Sequence, residues 1–203
     1  MDELLARLDD EFWDNDGLLG IVGAQWFEDD LRLQVEVLLC QEKEPERWEI
    51  NCGQVFAQRI CARFAEVITL TEGSLLLIPY KDNEVQIAFS ENNVPPNELF
   101  GLIASAYYEF MGPSVDLSRF LNLQLSSKGI CSEKYGILGR FPERIARKVL
   151  ADLEGHSIKA KMLKGFSPKY WTDRGYVPYP ANIKALSIGS SYVIGGEFNA
   201  KRA

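Results

Sequence analysis

A single histidine, His156, would have to serve any Ser-His-Asp triad, Cys-His dyad or imidazole-held metal in this 203-residue chain. It directly follows Gly155 at the end of an apolar-periodic stretch. There an imidazole complements the free carbonyls and the negative end of a helix dipole, so a capping role accounts for it. The four cysteines, Cys40, Cys52, Cys61 and Cys131, show neither a Cys-x-x-Cys pair nor zinc-ligand spacing. Cys131 lies in a loop-like stretch near Lys128 and Lys134, a setting that favours a thiolate, but no base is placed beside it. Cys40, Cys52 and Cys61 lie on or near alternating apolar runs and read as small core residues, all reduced. Gly17, Gly20 and Gly23 are spaced like a phosphate loop, yet no helix follows to aim its N-terminus at an anion. A bent or bulged strand explains them better. Asp116, Ser118, Arg119 and Asn122 would line a polar pocket, or Asp116 simply caps a short helix. No residue set here calls for a metal or a cofactor, and none is assigned a catalytic role.

Carboxylates are the most concentrated chemistry in the chain. Residues 1–50 carry 15 acidic and 4 basic side chains, whereas residues 157–203 carry 2 acidic and 8 basic ones, and the whole chain has a net charge of −7. Such a charge repels phosphate backbones and anionic lipid at long range, which disfavours nucleic acid and membranes as partners. Two acidic clusters, Glu28-Asp29-Asp30 and Glu42, Glu44, Glu46, fall in expected turns, where their charges would face solvent and steer a basic protein partner. At the other end, Lys161, Lys164, Lys169 and Arg174 alternate with Phe166, Tyr170, Trp171, Tyr176 and Tyr179. This mixture would stack bases, but it also suits a protein-binding arm.

The elements that must position these residues follow from periodicity. Leu4, Leu5, Leu8 and Phe12 have helical spacing and predict one amphipathic helix ending before Gly17. Leu31, Leu33, Val35 and Val37 alternate with Arg32, Gln34 and Glu36, the clearest strand signal in the chain. Residues 18–27 then make its hairpin partner, and Trp48, Ile50 and Cys52 continue the alternation after the turn. Residues 67–71, 75–80 and 85–89 predict three more strands, while residues 55–64 stay open: Phe56, Ile60 and Phe64 fit a helical stripe, and the alternation does not decide for a strand. Pro95-Pro96-Asn97 opens a helix with the stripe Leu99, Ile103, Ala106, Tyr107 and Phe110, closed by Gly112-Pro113. A second helix starts near Phe141-Pro142 and stops at Gly155. Short strand-like runs at 158–163, 183–188 and 191–198 follow.

The expected fold is a single α+β domain over residues 1–203: an antiparallel meander of about six strands, two main helices packed on it, and a short strand-rich C-terminus. The opening residues lack the basic, long-apolar pattern of a secretory signal, and the expected location is the cytoplasm. The leading functional expectation is a non-catalytic protein that binds a protein partner through its acidic surface, as an inhibitor or immunity-type protein does. A small-molecule binder with a cavity in a curved antiparallel sheet is one alternative, and a carboxylate-dependent enzyme is another.

Overall fold

The computed structural model describes residues 1–38, 44–61, 64–90, 93–122 and 134–203. The fold is α+β with antiparallel sheets, and it clusters into two compact units, Met1–Leu77 with Pro180–Ala203, and Ile78–Tyr179. Among the described residues, no helix is long and apolar enough to cross a membrane.

In the first unit, strands β1 (Leu18–Phe27), β2 (Asp30–Leu38) and β3 (Glu46–Gly53) form the expected antiparallel meander. Alternation sends Leu31, Leu33, Val35 and Val37 to the core, facing Cys52, Ile50, Trp48 and Glu46 in register, while Arg32, Gln34 and Glu36 point outward. The sheet gains β14 (Glu197–Arg202) beside β3 and β5 (Phe64–Ala65) beside the start of β1. A second sheet, in the order β4 (Ala57–Arg59), β13 (Ser191–Gly195), β12 (Lys184–Ile188) and β6 (Ile68–Thr71), contributes Ile68, Leu186, Ile188 and Val193 to the same core.

The expected N-terminal helix is in fact two, α1 (Asp2–Arg7) and α2 (Asp10–Asp14). Asp9 breaks it by accepting a hydrogen bond from Phe12 N, a cap that starts a new helix. Leu4, Leu8 and Phe12 still reach the core. A β-bulge at Val22, between Ile21 and Gly23, answers the glycine pattern.

In the second unit, β7 (Glu84–Ser90) lies between β8 (Tyr135–Pro142) and β9 (Lys159–Met162). Helix α5 (Glu143–Gly155) rests on all three strands, and α4 (Pro96–Met111) packs on α5. Val85, Ile87, Phe89 and Phe141 meet this layer. Tyr107 is fully buried, with its hydroxyl donating to Val115 O at 2.8 Å. Met111, not Phe110, completes the buried stripe of α4, and Phe110 is only half-buried.

The expected strand at 75–80 is instead a 3-10 turn, Leu75–Leu77, running into a helical turn, α3 (Ile78–Lys81). An unbroken apolar run has no period to read, and Ser74 Oγ captures Leu76 N to start the turn. The aromatic stretch after β9 is a hairpin, β10 (Lys169–Thr172) with β11 (Gly175–Pro178).

Packing at β3 predicts the largest stability losses of the first unit. Ile50→Ala, at a fully buried position, should cost about 2–5 kcal/mol in urea denaturation. Val22→Ala, at the exposed bulge, should stay within about 0.5 kcal/mol. Equal losses would contradict the placement of the core.

Candidate functional site

The two acidic clusters sit at opposite ends of β2. Glu28 and Asp29 form the two-residue tip of the β1–β2 hairpin, with Asp30 opening β2, and Glu28 adopts φ 55 to make the turn. Glu44 lies just before β3, beyond the far end of β2, and Glu42 falls outside the described residues. Eight residues separate Asp30 from Leu38, roughly 26 Å of extended chain. That exceeds a Debye length of about 8 Å at physiological salt, so the clusters act as separate charges and not as one handle.

Glu46 differs from the expected exposed turn residue. Strand β3 begins at Glu46, which has the parity of Trp48, Ile50 and Cys52 and therefore turns toward the core side. There its carboxylate accepts from Arg7 Nε at 3.0 Å and Trp48 Nε1 at 3.3 Å, with Arg202 3.8 Å away. Burial alone would raise its pKa, but the Arg7 hydrogen bond and charge, Trp48 and Arg202 together hold it below the ordinary carboxylate value. Glu49, on the outer face, is likewise held low, first by Lys201 at 2.9 Å and then, against desolvation, by Asn51 and Arg32. The outer face of this sheet is thus a ladder of paired charges, which Arg47 and Glu36 extend at 3.2 Å.

The hairpin tip is different. Burial along β1 stops after Ile21, whereas Leu33 and Leu31 of β2, paired with Ala24 and Trp26, stay buried, so Val22–Phe27 is the exposed outer strand beside a buried neighbour. Strand β5 pairs only with Leu19 and Gly20. Among the described residues, nothing pairs with the outer edge of Gly23–Phe27. The two rings of this arm, Trp26 at 48% exposure and Phe27 at 42%, lie on opposite faces of the ribbon, because Trp26 pairs with Leu31 and Phe27 with Asp30. Arg32 lies 4.3 Å over the Phe27 ring and steadies it. A backbone edge that no described residue pairs with, two large rings and three acids therefore share one hairpin. The acids were legible in the sequence. The exposure of Trp26 and Phe27 was not, because a strand period does not show which strand lies at the edge of its sheet.

The other sequence candidates have structural roles. His156 Nδ1 lies 2.8 Å from the carbonyl of Asp152, to which it must donate, and so caps α5. Asp116 caps the 3-10 turn Leu117–Arg119 by accepting from Ser118 N at 2.8 Å, a backbone bond that lowers its pKa. Cys52 is buried as expected, and burial, helped by the Asp30 charge, pushes its thiol up to about 12. Cys61 is exposed, contrary to its core reading, because strand β4 ends at Arg59, two residues before it. Its Sγ lies 3.3 Å from Ser190 Oγ. That hydrogen bond, against slight desolvation, and the Arg59 charge lower its pKa. Cys40 and Cys131 lie outside the described residues. Among the described residues, no three His, Cys, Asp or Glu side chains gather as a metal site.

Compared with known proteins, the chain matches no family model, no curated protein and no solved structure.

Two outcomes follow from these environments. Alkylation by iodoacetamide at pH 7.5, mapped by mass spectrometry, should modify Cys61 at least about tenfold faster than Cys52, whose thiol is buried and neutral. Comparable rates would contradict the assignment. Because the Glu46 pKa is lowered on folding, its stabilisation is present above the ordinary carboxylate range and fades as pH falls through the depressed native value. Glu46→Gln should therefore cost about 1 kcal/mol in unfolding at pH 7, and the gap should close below about pH 4. A gap that persists unchanged at pH 3 would contradict it.

Proposed function

We propose that this is a non-catalytic, cytosolic protein-binding module, and that its docking element is the β1–β2 hairpin. The observation that carries this reading is the exposed arm of β1: a strand edge over Gly23–Phe27 that no described residue pairs with, exposed Trp26 and Phe27 on its two faces, and Glu28, Asp29 and Asp30 at its tip. An open edge is a template for strand addition. A partner segment laid along it would exchange backbone hydrogen bonds and place alternate side chains against the two rings. Tryptophan anchors interfaces well, since it buries much area with few rotatable bonds. The acids select a segment that carries Lys or Arg at its end, and they speed encounter more than they tighten the complex. The docking charges are therefore Glu28, Asp29 and Asp30. Glu46, held by Arg7 and Trp48, serves the fold.

A non-catalytic reading suits the carboxylates, since Glu46, Glu49 and Asp116 are all shifted down, opposite to the direction a general acid needs. A reducing, cytosolic setting suits the free thiols Cys52 and Cys61.

The test is capture of a native partner by wild type and by two variants, Trp26→Ala, and Glu28→Gln with Asp29→Asn and Asp30→Asn. Trp26→Ala should weaken the captured partner's affinity by about tenfold or more through faster dissociation. The triple variant should slow association by about tenfold at low salt while leaving dissociation nearly unchanged. A partner bound equally by all three proteins would show that the hairpin is not the docking element.

A further inference from the structure

The second unit carries a hairpin that resembles β1–β2 in its exposed rings and opposes it in charge. In β10–β11 the register sets Trp171 opposite Tyr176 and Lys169 opposite Pro178, and all four side chains are exposed. The alternate pair, Tyr170 and Val177, is half-buried. On that side the Tyr170 ring lies 5.1 Å from the Tyr179 ring, which in turn lies 5.1 Å from Tyr80. One face of the hairpin is thus anchored on a row of tyrosines, and the other is turned outward.

The outward face is built firmly. Thr172 Oγ1 donates to Gly175 O at 2.9 Å and accepts from Arg174 N at 3.3 Å, and Gly175 takes the φ of 109 that the turn requires. This closure holds Arg174 at the exposed tip. Behind it, Trp171 and Tyr176 meet edge to face at 5.0 Å, yet they remain 66% and 69% exposed. Tryptophan, tyrosine and arginine are the side chains that most often anchor interfaces, and here they stand together on a fixed turn.

Charge indicates what such a surface fits. Residues 159–179 hold five basic side chains and one acidic, Asp173, and Lys161, Lys164, Lys169 and Arg174 are all exposed. The first unit, by contrast, has 18 acidic and 9 basic residues, while the second has 11 and 13. The acidic excess of this chain therefore belongs to the unit that carries Glu28, Asp29 and Asp30, and its basic arm belongs to the other. A nucleic-acid strand is the weaker fit, because a polyanion needs a track of neutralising cations, and the second unit exceeds neutrality by only two charges.

We propose that the partner of the β1–β2 hairpin is a second copy of this chain, whose β10–β11 hairpin brings Lys169 and Arg174 to Glu28, Asp29 and Asp30 and packs Trp171 and Tyr176 against Trp26. The inference rests on β1–β2 being the docking element. Two copies of net charge −7 repel at a distance, but within a Debye length of about 8 Å each charge answers to its local neighbours, and there acid meets base. Every copy carries both hairpins. Two copies related by a two-fold axis make the contact twice, and without that closure the contacts run on head to tail.

Sedimentation equilibrium of the full chain, from micromolar to near-millimolar concentration, tests this. Wild type should show an average mass that rises with concentration. An acid variant, Glu28→Gln with Asp29→Asn and Asp30→Asn, a basic variant, Lys169→Gln with Arg174→Gln, and Trp171→Ala should each self-associate about tenfold or more weakly. Mixing the acid and basic variants should then yield a one-to-one complex that neither forms alone, since one supplies an intact basic hairpin and the other an intact acidic one. The proposal is overturned if wild type stays monomeric throughout, if self-association ignores these substitutions, or if the mixture associates no better than its components. Oligothymidylate is titrated in parallel: a monomeric wild type whose oligonucleotide binding is lost in Trp171→Ala and in the basic variant would overturn the proposal and assign β10–β11 to nucleic acid. A monomeric wild type that still loses a captured native partner on Trp26→Ala would refute the second copy alone. Self-association and native capture both indifferent to Trp26→Ala would refute the docking role of β1–β2 as well.

Discussion

The alternation along β2 is the constraint on which the first unit depends. Leu31, Leu33, Val35 and Val37 are all buried, and a one-residue slip would put Arg32, Gln34 and Glu36 into the core in their place. This penalty fixes the register of β1 on one side and β3 on the other, and through β3 that of β14. It also determines where each charge goes. Outward positions carry the Arg47–Glu36 and Lys201–Glu49 pairs, and the inward parity of β3 carries Glu46 to Arg7. Along the outer strand the constraint weakens: β2 stays buried to Leu31, while β1 beside it is exposed from Ala24 to Phe27.

The second unit solves a different packing problem with one layer of helix on one layer of sheet. Helix α5 covers one face of three strands, and the other face is left to polar and basic residues. Edge strand β9 carries Lys159 and Lys161 along that face, a pattern that discourages edge pairing. The opposite edge, at β8, is closed by residues 120–122, an approach that glycine at 139 permits, since a Cβ there would lie 2.0 Å from the Phe120 carbonyl oxygen. The two units thus treat their edges differently, since in the first no described residue pairs with the outer edge of Gly23–Phe27.

The parts of the fold visible in the sequence are those with a strict period. β2, β3 and β7 follow from period-two alternation, α4 and α5 from helical stripes bounded by proline and glycine, and the bulge in β1 from its glycines. Residues 75–80 were not legible as helix, because Leu75-Leu76-Leu77-Ile78 has no period and a side-chain cap decided its conformation. Glu46 was legible in principle, by extending the parity of Trp48 and Ile50 two residues back. Turn composition around Pro45 hid it. Strand partners distant in sequence, such as β3 with β14 or β6 with β12, leave no local mark, and neither does the close approach at Gly139. The acidic tip was visible as charge, but the docking role proposed for it draws on exposed rings and on an edge unpaired among the described residues, both of which exist only once β2 is in register.

The most direct measurement of this account is amide hydrogen exchange along the β1–β2 hairpin, in the free protein and with a captured partner. With the outer edge of β1 open, the amides of residues 23–27 that point away from β2 exchange fast in the free protein, while those of Leu31–Val37 that bond to β1 or β3 are strongly protected. Adding the partner slows the same outward amides of residues 23–27 and leaves β3 unchanged. Uniform protection of residues 23–27 in the free protein, or a partner that protects other surfaces and leaves these amides fast, would contradict the central claim that the open hairpin edge is where this protein binds.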